Sequence, residues 1–238
     1  MKNYELFKMG FTIDQVVPWG RNLEEYQRMF ALLPESLDKK ILGCGDGPAS
    51  VNAELFSIDK DYTSLDPIYQ FSAQQIRERI EATATVIKEQ LTKNQADYIW
   101  DYYQSPKQLV KTRLAAMELF LQDFEQKNNT NRYVIGTLPS LPFEDDSFDL
   151  VICSHFLFAY SEQLDEEFHQ KAILEMCRVG RELRIFPLLE ISGKASRHLN
   201  SVVNYLENQG IHTEILTVDY EFQKGGNQML KLTSVIAN

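Results

Sequence analysis

Gly43, Gly45 and Gly47 stand at alternate positions after a short apolar run, Pro48 follows the last of them, and Asp66 lies 19 positions beyond Gly47. Glycine has no Cβ, so the backbone at these positions can pass close to a ligand, and any of the three can hold positive φ. Pro48 suits the first turn of a helix, where a backbone N–H has no partner anyway. Together these residues read as a nucleotide-cofactor loop, although many α/β folds use such a turn for packing alone. The dinucleotide fingerprint G-x-G-x-x-G puts its third glycine where Pro48 stands, which counts against NAD or FAD. Asp66 falls where the second strand of a doubly wound sheet ends, and a carboxylate there can accept both hydroxyls of a ribose. Asp66-Pro67 is by itself an ordinary turn starter, and the glycine loop is what favours the ribose role.

Other chemistry-bearing residues are sparse. Cys44, Cys153 and Cys177 are far apart, which fits reduced core thiols better than a disulfide framework or a metal site. His155, His169, His198 and His212 show no zinc-ligand spacing, so no metal is expected. A formal charge of -10 and a pI near 5.0 oppose nucleic acid as a partner. Hydrophobic content of 44% with a mean hydropathy of -0.32 is ordinary for a globular chain, and no apolar run approaches the ~20 residues of a membrane span. Met1 to Glu5 carry no secretion-signal pattern, so a cytoplasmic location is expected.

The elements that must position these residues follow from periodicity. At 238 residues, one α/β domain with an insertion is expected over residues 1–238. Asn22 to Glu25 reads as a capped helix start, with Leu23, Tyr26 and Phe30 at helical spacing and Pro34 as the stop. Ahead of it, Val16 to Arg21 bunches Trp19, Gly20 and Arg21; Trp19 is either an anchor for this arm or a ligand contact. A helix over 49–56 separates strand one from strand two at 62–65. Residues 69–131 are too long for a simple crossover and form an insertion. Within it, Ile76, Ile80, Ala84 and Ile87 define one amphipathic helix, and Val110, Leu114, Met117, Leu121 and Phe124 another, started by Ser105 and Pro106. Tyr98 to Tyr103, with Trp100 among them, is either a hydrophobic plug between helices or a substrate-facing wall. Strand three is expected at 132–136, strand four at 148–153 and strand five at 183–189, ended by Pro187. A helix over 201–209 stops at Gly210, and strands at 213–218 and 228–235 close the chain as an antiparallel hairpin turned by Gly225 to Asn227.

Leu42 to Gly47 resembles motif I of the class I S-adenosylmethionine-dependent methyltransferases. Leu141 to Val151 is similar to that family's Leu-Pro-Phe, acidic, Phe-Asp-x-Val stretch, and Glu175 to Val179 to its Glu-x-x-Arg-Val run. The resemblance implies a Rossmann-like, doubly wound α/β sheet of seven strands in the order 3-2-1-4-5-7-6, the last antiparallel, with the helical insertion between strands two and three. It implies S-adenosylmethionine as cofactor, bound by Gly43, Cys44, Gly45, Gly47, Asp66, Pro67, Thr137, Leu138 and Ser154. Thr137 stands where many members have an acid for the adenine amino group. Strand four ends in Cys153 to Phe156 rather than in an amino-methylating Asn/Asp-Pro-Pro motif, and no Pro-Cys nucleophile is present, so a small-molecule acceptor fits better than DNA. Val17 to Arg21, the insertion and Tyr220 to Asn227 together resemble a bacterial branch of the family without an assigned substrate. Residues 1–39 and 69–131 are then the expected substrate cap.

In open α/β sheets ligands lie beyond the carboxyl ends of the strands, which gathers Gly43, Gly45, Asp66, Thr137, Ser154, His155 and Glu190 at one rim. His155 is the first candidate for a catalytic base, because unperturbed imidazole titrates near neutrality; the alternative is a capping or core histidine. Trp19, Arg21, Trp100, Tyr103, His155 and Glu190 are the candidate acceptor contacts. The competing function is a methyltransferase-like protein that binds the cofactor without chemistry. Aminopropyl transfer on the same fold is disfavoured by the lack of a paired-Asp motif.

Overall fold

The computed structural model describes residues 18–126 and 131–234; Val16, Val17 and Val235, expected in the arm and the last strand, lie outside them. Seven strands, β1 (Ile41–Cys44), β2 (Tyr62–Leu65), β3 (Tyr133–Val134), β4 (Phe148–Ser154), β5 (Gly180–Phe186), β6 (Ile211–Thr217) and β7 (Gln228–Ser234), form one sheet. Their order is β3-β2-β1-β4-β5-β7-β6. The strands β1 to β5 are parallel, and β7 is antiparallel to both β5 and β6. This is the expected Rossmann-like, doubly wound sheet of seven strands with the last one antiparallel.

Side chains of a strand point alternately to its two faces, and here both faces are covered. Val151 and Cys153 of β4 enter one layer with Ala172 and Met176 of α5 (Glu166–Val179) and Leu206 of α6 (Leu199–Asn208). Leu150 and Ile152 enter the other with Tyr26 and Met29 of α1 (Leu23–Met29) and Leu55 of α2 (Val51–Phe56). Burying each such large apolar side chain contributes about 1.5–3 kcal/mol relative to exposure. The strand β5 starts three residues earlier than its apolar run indicates, directly after α5. Gly180 permits this, since a Cβ there would lie 2.3 Å from Val151 Cγ2.

The insertion consists of α3 (Ala73–Lys93) and α4 (Pro106–Phe124), packed on each other. Ser105 caps α4 by accepting from the Gln108 N–H at 3.2 Å. Its buried face differs from the expected one: Leu114 is 37% exposed, and Arg113 is buried in its stead among Leu109, Val110, Met117 and Phe120. Choosing apolar positions alone selected the wrong neighbour, because Arg113 is held inside by a carboxylate from another element.

Tyr98, Trp100 and Tyr103 surround Phe222 of the β6–β7 loop, with ring centroids 4.7, 5.4 and 5.4 Å from its ring. Backbone hydrogen bonds fasten the same contact, from Ile99 N–H to Phe222 O at 2.7 Å and from Lys224 N–H to Asp97 O at 3.1 Å. These contacts are those of a plug, and Ile99, Tyr102 and Tyr103 of the same run also line a cavity with Tyr220 and Phe222.

Candidate functional site

Beyond the carboxyl end of β1 the chain turns through Gly45 at φ +68° and Gly47 at φ +56° into α2, while Gly43 keeps ordinary strand geometry. Gly43 is small for a different reason, since a Cβ there would lie 2.3 Å from Tyr62 Oη and 2.6 Å from the Asp46 carboxyl carbon. Cys44 turns its side chain wholly into the core, and burial pushes its thiol pKa up, so only its backbone faces the loop. Gly45 lies against the Phe156 ring, whereas a Cβ on Gly47 would meet only Asp66 Oδ2 at 3.9 Å.

Asp66 closes this loop. Its Oδ2 accepts from the Gly47 N–H at 2.9 Å and its Oδ1 from the Ile68 N–H at 2.8 Å. The second bond caps the short turn Pro67–Gln70, so the turn-starter and loop-partner readings of Asp66-Pro67 hold together. Burial raises the Asp66 pKa to about 6, against the opposing effect of the two N–H donors. A carboxylate has about four lone-pair sites, so two are left for hydroxyl donors. Gly136, whose Cβ would lie 2.7 Å from Leu65 Cδ1, packs the segment after β3 against the end of β2. The Asp66 N–H donates to Val134 O in β3, and the exposed Thr137 follows three residues later; the Leu138 side chain is in the core.

The residues between the glycines and above them were not legible in sequence. Asp46 is buried and accepts from Tyr26 Oη at 2.7 Å, Ser64 Oγ at 2.6 Å and Tyr62 Oη at 3.1 Å. Burial raises its pKa, and these three hydroxyls oppose the rise. One residue earlier on α1, Glu25 is fully buried and accepts from Arg113 Nη1 at 2.6 Å, Tyr220 Oη at 3.1 Å, Tyr103 Oη and the Asn22 N–H at 3.2 Å. Sequence marked Glu25 only as the acid of a capping box, which it also is.

Arg21 lies beside this cluster. Its carbonyl accepts from the Ser50 N–H at 3.0 Å, and its Nη1 donates to Trp19 O at 3.2 Å. Gly20 is pressed on the glycine loop, for a Cβ there would lie 2.0 Å from Pro48 O. Trp19 packs, partly buried, against both aromatic clusters of the insertion.

His155, at φ +51°, follows β4 with its N–H bonded to Phe186 O at 2.6 Å and its Nδ1 3.0 Å from Ser154 Oγ. Burial, then the charges of Arg21 and Arg113, hold its pKa well below the usual imidazole range. An imidazole so held is neutral and can still accept a proton, but it is a weaker base than a free histidine. Two acceptor candidates are committed elsewhere. Glu190 receives the Arg197 N–H, Nε and Nη2 at 3.0, 2.8 and 3.0 Å and serves as a loop staple, and Trp100 donates Nε1 to Gln95 O at 2.9 Å within the plug. Tyr103 belongs to the Glu25 cluster, while His155 sits beside Ser154 within reach of the Arg21 and Arg113 charges. Among the described residues no group of three or more His, Cys, Asp and Glu could hold a metal ion, and no helix is long and apolar enough to cross a membrane.

An uncharacterized protein of Methanocaldococcus jannaschii, MJ0045, is 34% identical to this chain over 222 residues, covering 92% of this chain and 96% of that protein. The chain belongs to the MJ0045 family. This relative is archaeal, so it lends no support to the expected bacterial branch. Residues 105–183 match the family model described as a methyltransferase domain, from the start of α4 into β5. Among solved structures, a SAM-dependent methyltransferase from Methanosarcina mazei aligns with 85% of this chain and 98% of its own at 15% identity and a TM-score of 0.43. Magnesium protoporphyrin IX methyltransferase from Synechocystis PCC 6803, with bound SAH, aligns with 82% and 74% at 14% identity and a TM-score of 0.41. Neither carries a residue role over to this chain.

Proposed function

We propose that this protein transfers a methyl group from S-adenosylmethionine to a small-molecule acceptor. The observation that carries this reading is the clasp between Gly47 and Asp66: a loop with two left-handed glycines, tied by 2.9 Å to a carboxylate that keeps lone pairs free, at the carboxyl edge of the sheet. The methyltransferase-domain match over residues 105–183 supports it from the other half of the chain. The net charge of -10 favours a small acceptor over nucleic acid.

The residues present fit the cofactor. Gly47 leaves backbone uncovered, Asp66 has acceptor capacity for a ribose diol, and Thr137 with the Leu138 backbone borders the same edge. When bound, S-adenosylmethionine supplies a methyl group on a sulfonium, already activated for transfer. What remains for the protein is to orient an acceptor and exclude water. Ser154 and His155 border the place where an acceptor would meet the loop, and a neutral His155 serves there as a hydrogen-bonding, positioning group. Residues 1–39 and the 69–131 insertion are its cap in this reading, tied together where Glu25 accepts from Tyr103 and Arg113, with Tyr220 of the β6–β7 loop joining them.

Calorimetry with S-adenosylmethionine, S-adenosylhomocysteine and NADH, followed by a methyl-release screen over small metabolites, tests the reading. Micromolar binding of the first two with turnover of at least one acceptor is expected. Binding with no turnover on any acceptor would assign a cofactor-binding role without chemistry, and binding of NADH alone would overturn both.

A further inference from the structure

We propose that the acceptor carries an oxyanion, a carboxylate or a phosphate, and that Arg21 is the residue that reads it. This deepens the methyl-transfer reading and rests on it. The cluster over the glycine loop holds two guanidiniums, the buried Arg113 and the half-buried Arg21, beside one buried carboxylate, Glu25. That carboxylate is saturated: Oε1 accepts from Tyr103 and Tyr220, and Oε2 accepts from Arg113 and the Asn22 N–H. The next acid, Asp46, is taken by the hydroxyls of Tyr26, Tyr62 and Ser64.

Among the described residues Arg21 is left without an ion-paired acid: of its five N–H donors one meets an acceptor there, the Trp19 carbonyl, and its buried Nε meets none. Arg113 is 1% exposed and also keeps a buried, unpartnered Nε, while its Nη1 and Nη2 serve Glu25 and Tyr220. A shielded guanidinium N–H without an acceptor is costly, and a ligand oxyanion would supply the acceptor that these two Nε groups lack. The planar fork of arginine matches carboxylate and phosphate with two parallel hydrogen bonds, which a lysine cannot reproduce. Position agrees with this role. The Arg21 carbonyl is bonded to Ser50 at the start of α2, directly after the glycine loop, and its charge acts on His155 at the end of β4.

The test uses the full-length protein saturated with S-adenosylmethionine and three arms of size-matched acceptors: carboxylates, phosphate monoesters, and neutral or cationic alcohols and amines. S-adenosylhomocysteine release is the readout, with calorimetric titration of oxalate and inorganic phosphate beside it. Turnover is expected in an anionic arm, and which arm responds identifies the oxyanion. Arg21→Gln and Arg21→Lys should each raise KM about tenfold to hundredfold, leave kcat within a few-fold, and leave S-adenosylhomocysteine affinity unchanged. Best turnover in the neutral or cationic arm, with KM unmoved in Arg21→Gln, overturns the proposal and leaves methyl transfer standing. Binding of oxalate or phosphate that is lost in Arg21→Gln, in a protein that binds no S-adenosylmethionine, keeps the anion site and removes methyl transfer. No binding in any arm overturns both.

Discussion

Arg113 of α4 donates to the Glu25 carboxylate of α1 at 2.6 Å across 88 residues of sequence, with both side chains at or below 1% exposure. The pair ties the insertion to the first helix. Its net worth as a pair is small, because desolvating two charges offsets their attraction, whereas losing one partner strands the other. Arg113→Met should therefore destabilise the protein by about 3–5 kcal/mol, and Glu25→Met by a similar amount. The double variant should cost clearly less than the sum. Urea denaturation of the four proteins gives the coupling, and additive costs would show that the two do not act as a unit.

Two of the three alternate glycines should fail differently when given a methyl group. Gly43→Ala drives a Cβ toward Tyr62 Oη and Asp46, so it lowers the melting temperature and disturbs the Asp46 cluster. Gly47→Ala meets open space but must hold φ +56°, at a cost of about 1–2 kcal/mol. It should fold and lose cofactor affinity. Melting curves with and without S-adenosylhomocysteine separate the two, and equal ligand stabilisation in Gly47→Ala and the parent would count against the loop as the cofactor site.

Asp66 links acidity to both folding and binding. Its pKa rises from 3.8 to about 6 on folding, so between about pH 4 and 6 the native protein holds a proton that the unfolded chain has released. Its contribution to stability is thus greatest at the acid end of that window and declines as pH rises through it. Cofactor binding should move the other way, because the ribose hydroxyls need the ionised acceptor. Affinity should fall by up to about tenfold per pH unit below pH 6 and level off above it. Calorimetry from pH 4.5 to 8 measures this, and Asp66→Asn should bind weakly with a flat profile.

His155, held neutral by burial and by Arg21 and Arg113, should leave no mark on the pH profile of turnover between pH 6 and 8. His155→Gln is expected to reduce kcat through lost positioning without changing the shape of that profile. An acid limb near pH 6.5 that disappears in His155→Gln would restore the base role.

The fold was readable because its signals are local. Asn22 and Ser105 cap where expected, Gly210 ends α6 at φ +81°, and the apolar core of β4 declares a strand covered on both faces. The glycine loop and Asp66 belong to the same class, since each needs a residue type that few other environments need. The charged cluster above them does not. Glu25, Arg113 and Tyr220 come from elements far apart in the chain, and each alone carries an everyday explanation: a cap acid, a surface-type helix cation, a loop tyrosine. Only their meeting makes them a group, and periodicity even set Leu114 in the place that Arg113 holds. Glu190 differs in the opposite way, for its carboxylate, offered in sequence as a ligand contact, is taken by Arg197.

The hydrogen bonds from Ile99 to Phe222 and from Lys224 to Asp97 join segments that leave the sheet on opposite sides of β1. The insertion departs after β2, and the loop that receives it connects β6 and β7 at the far edge. The rim is consequently a closed arch with two springing points. Descendants of this chain could not exchange one half of the arch for a foreign sequence without re-cutting the other. Among relatives, residues 95–103 and 219–227 should therefore change together rather than separately.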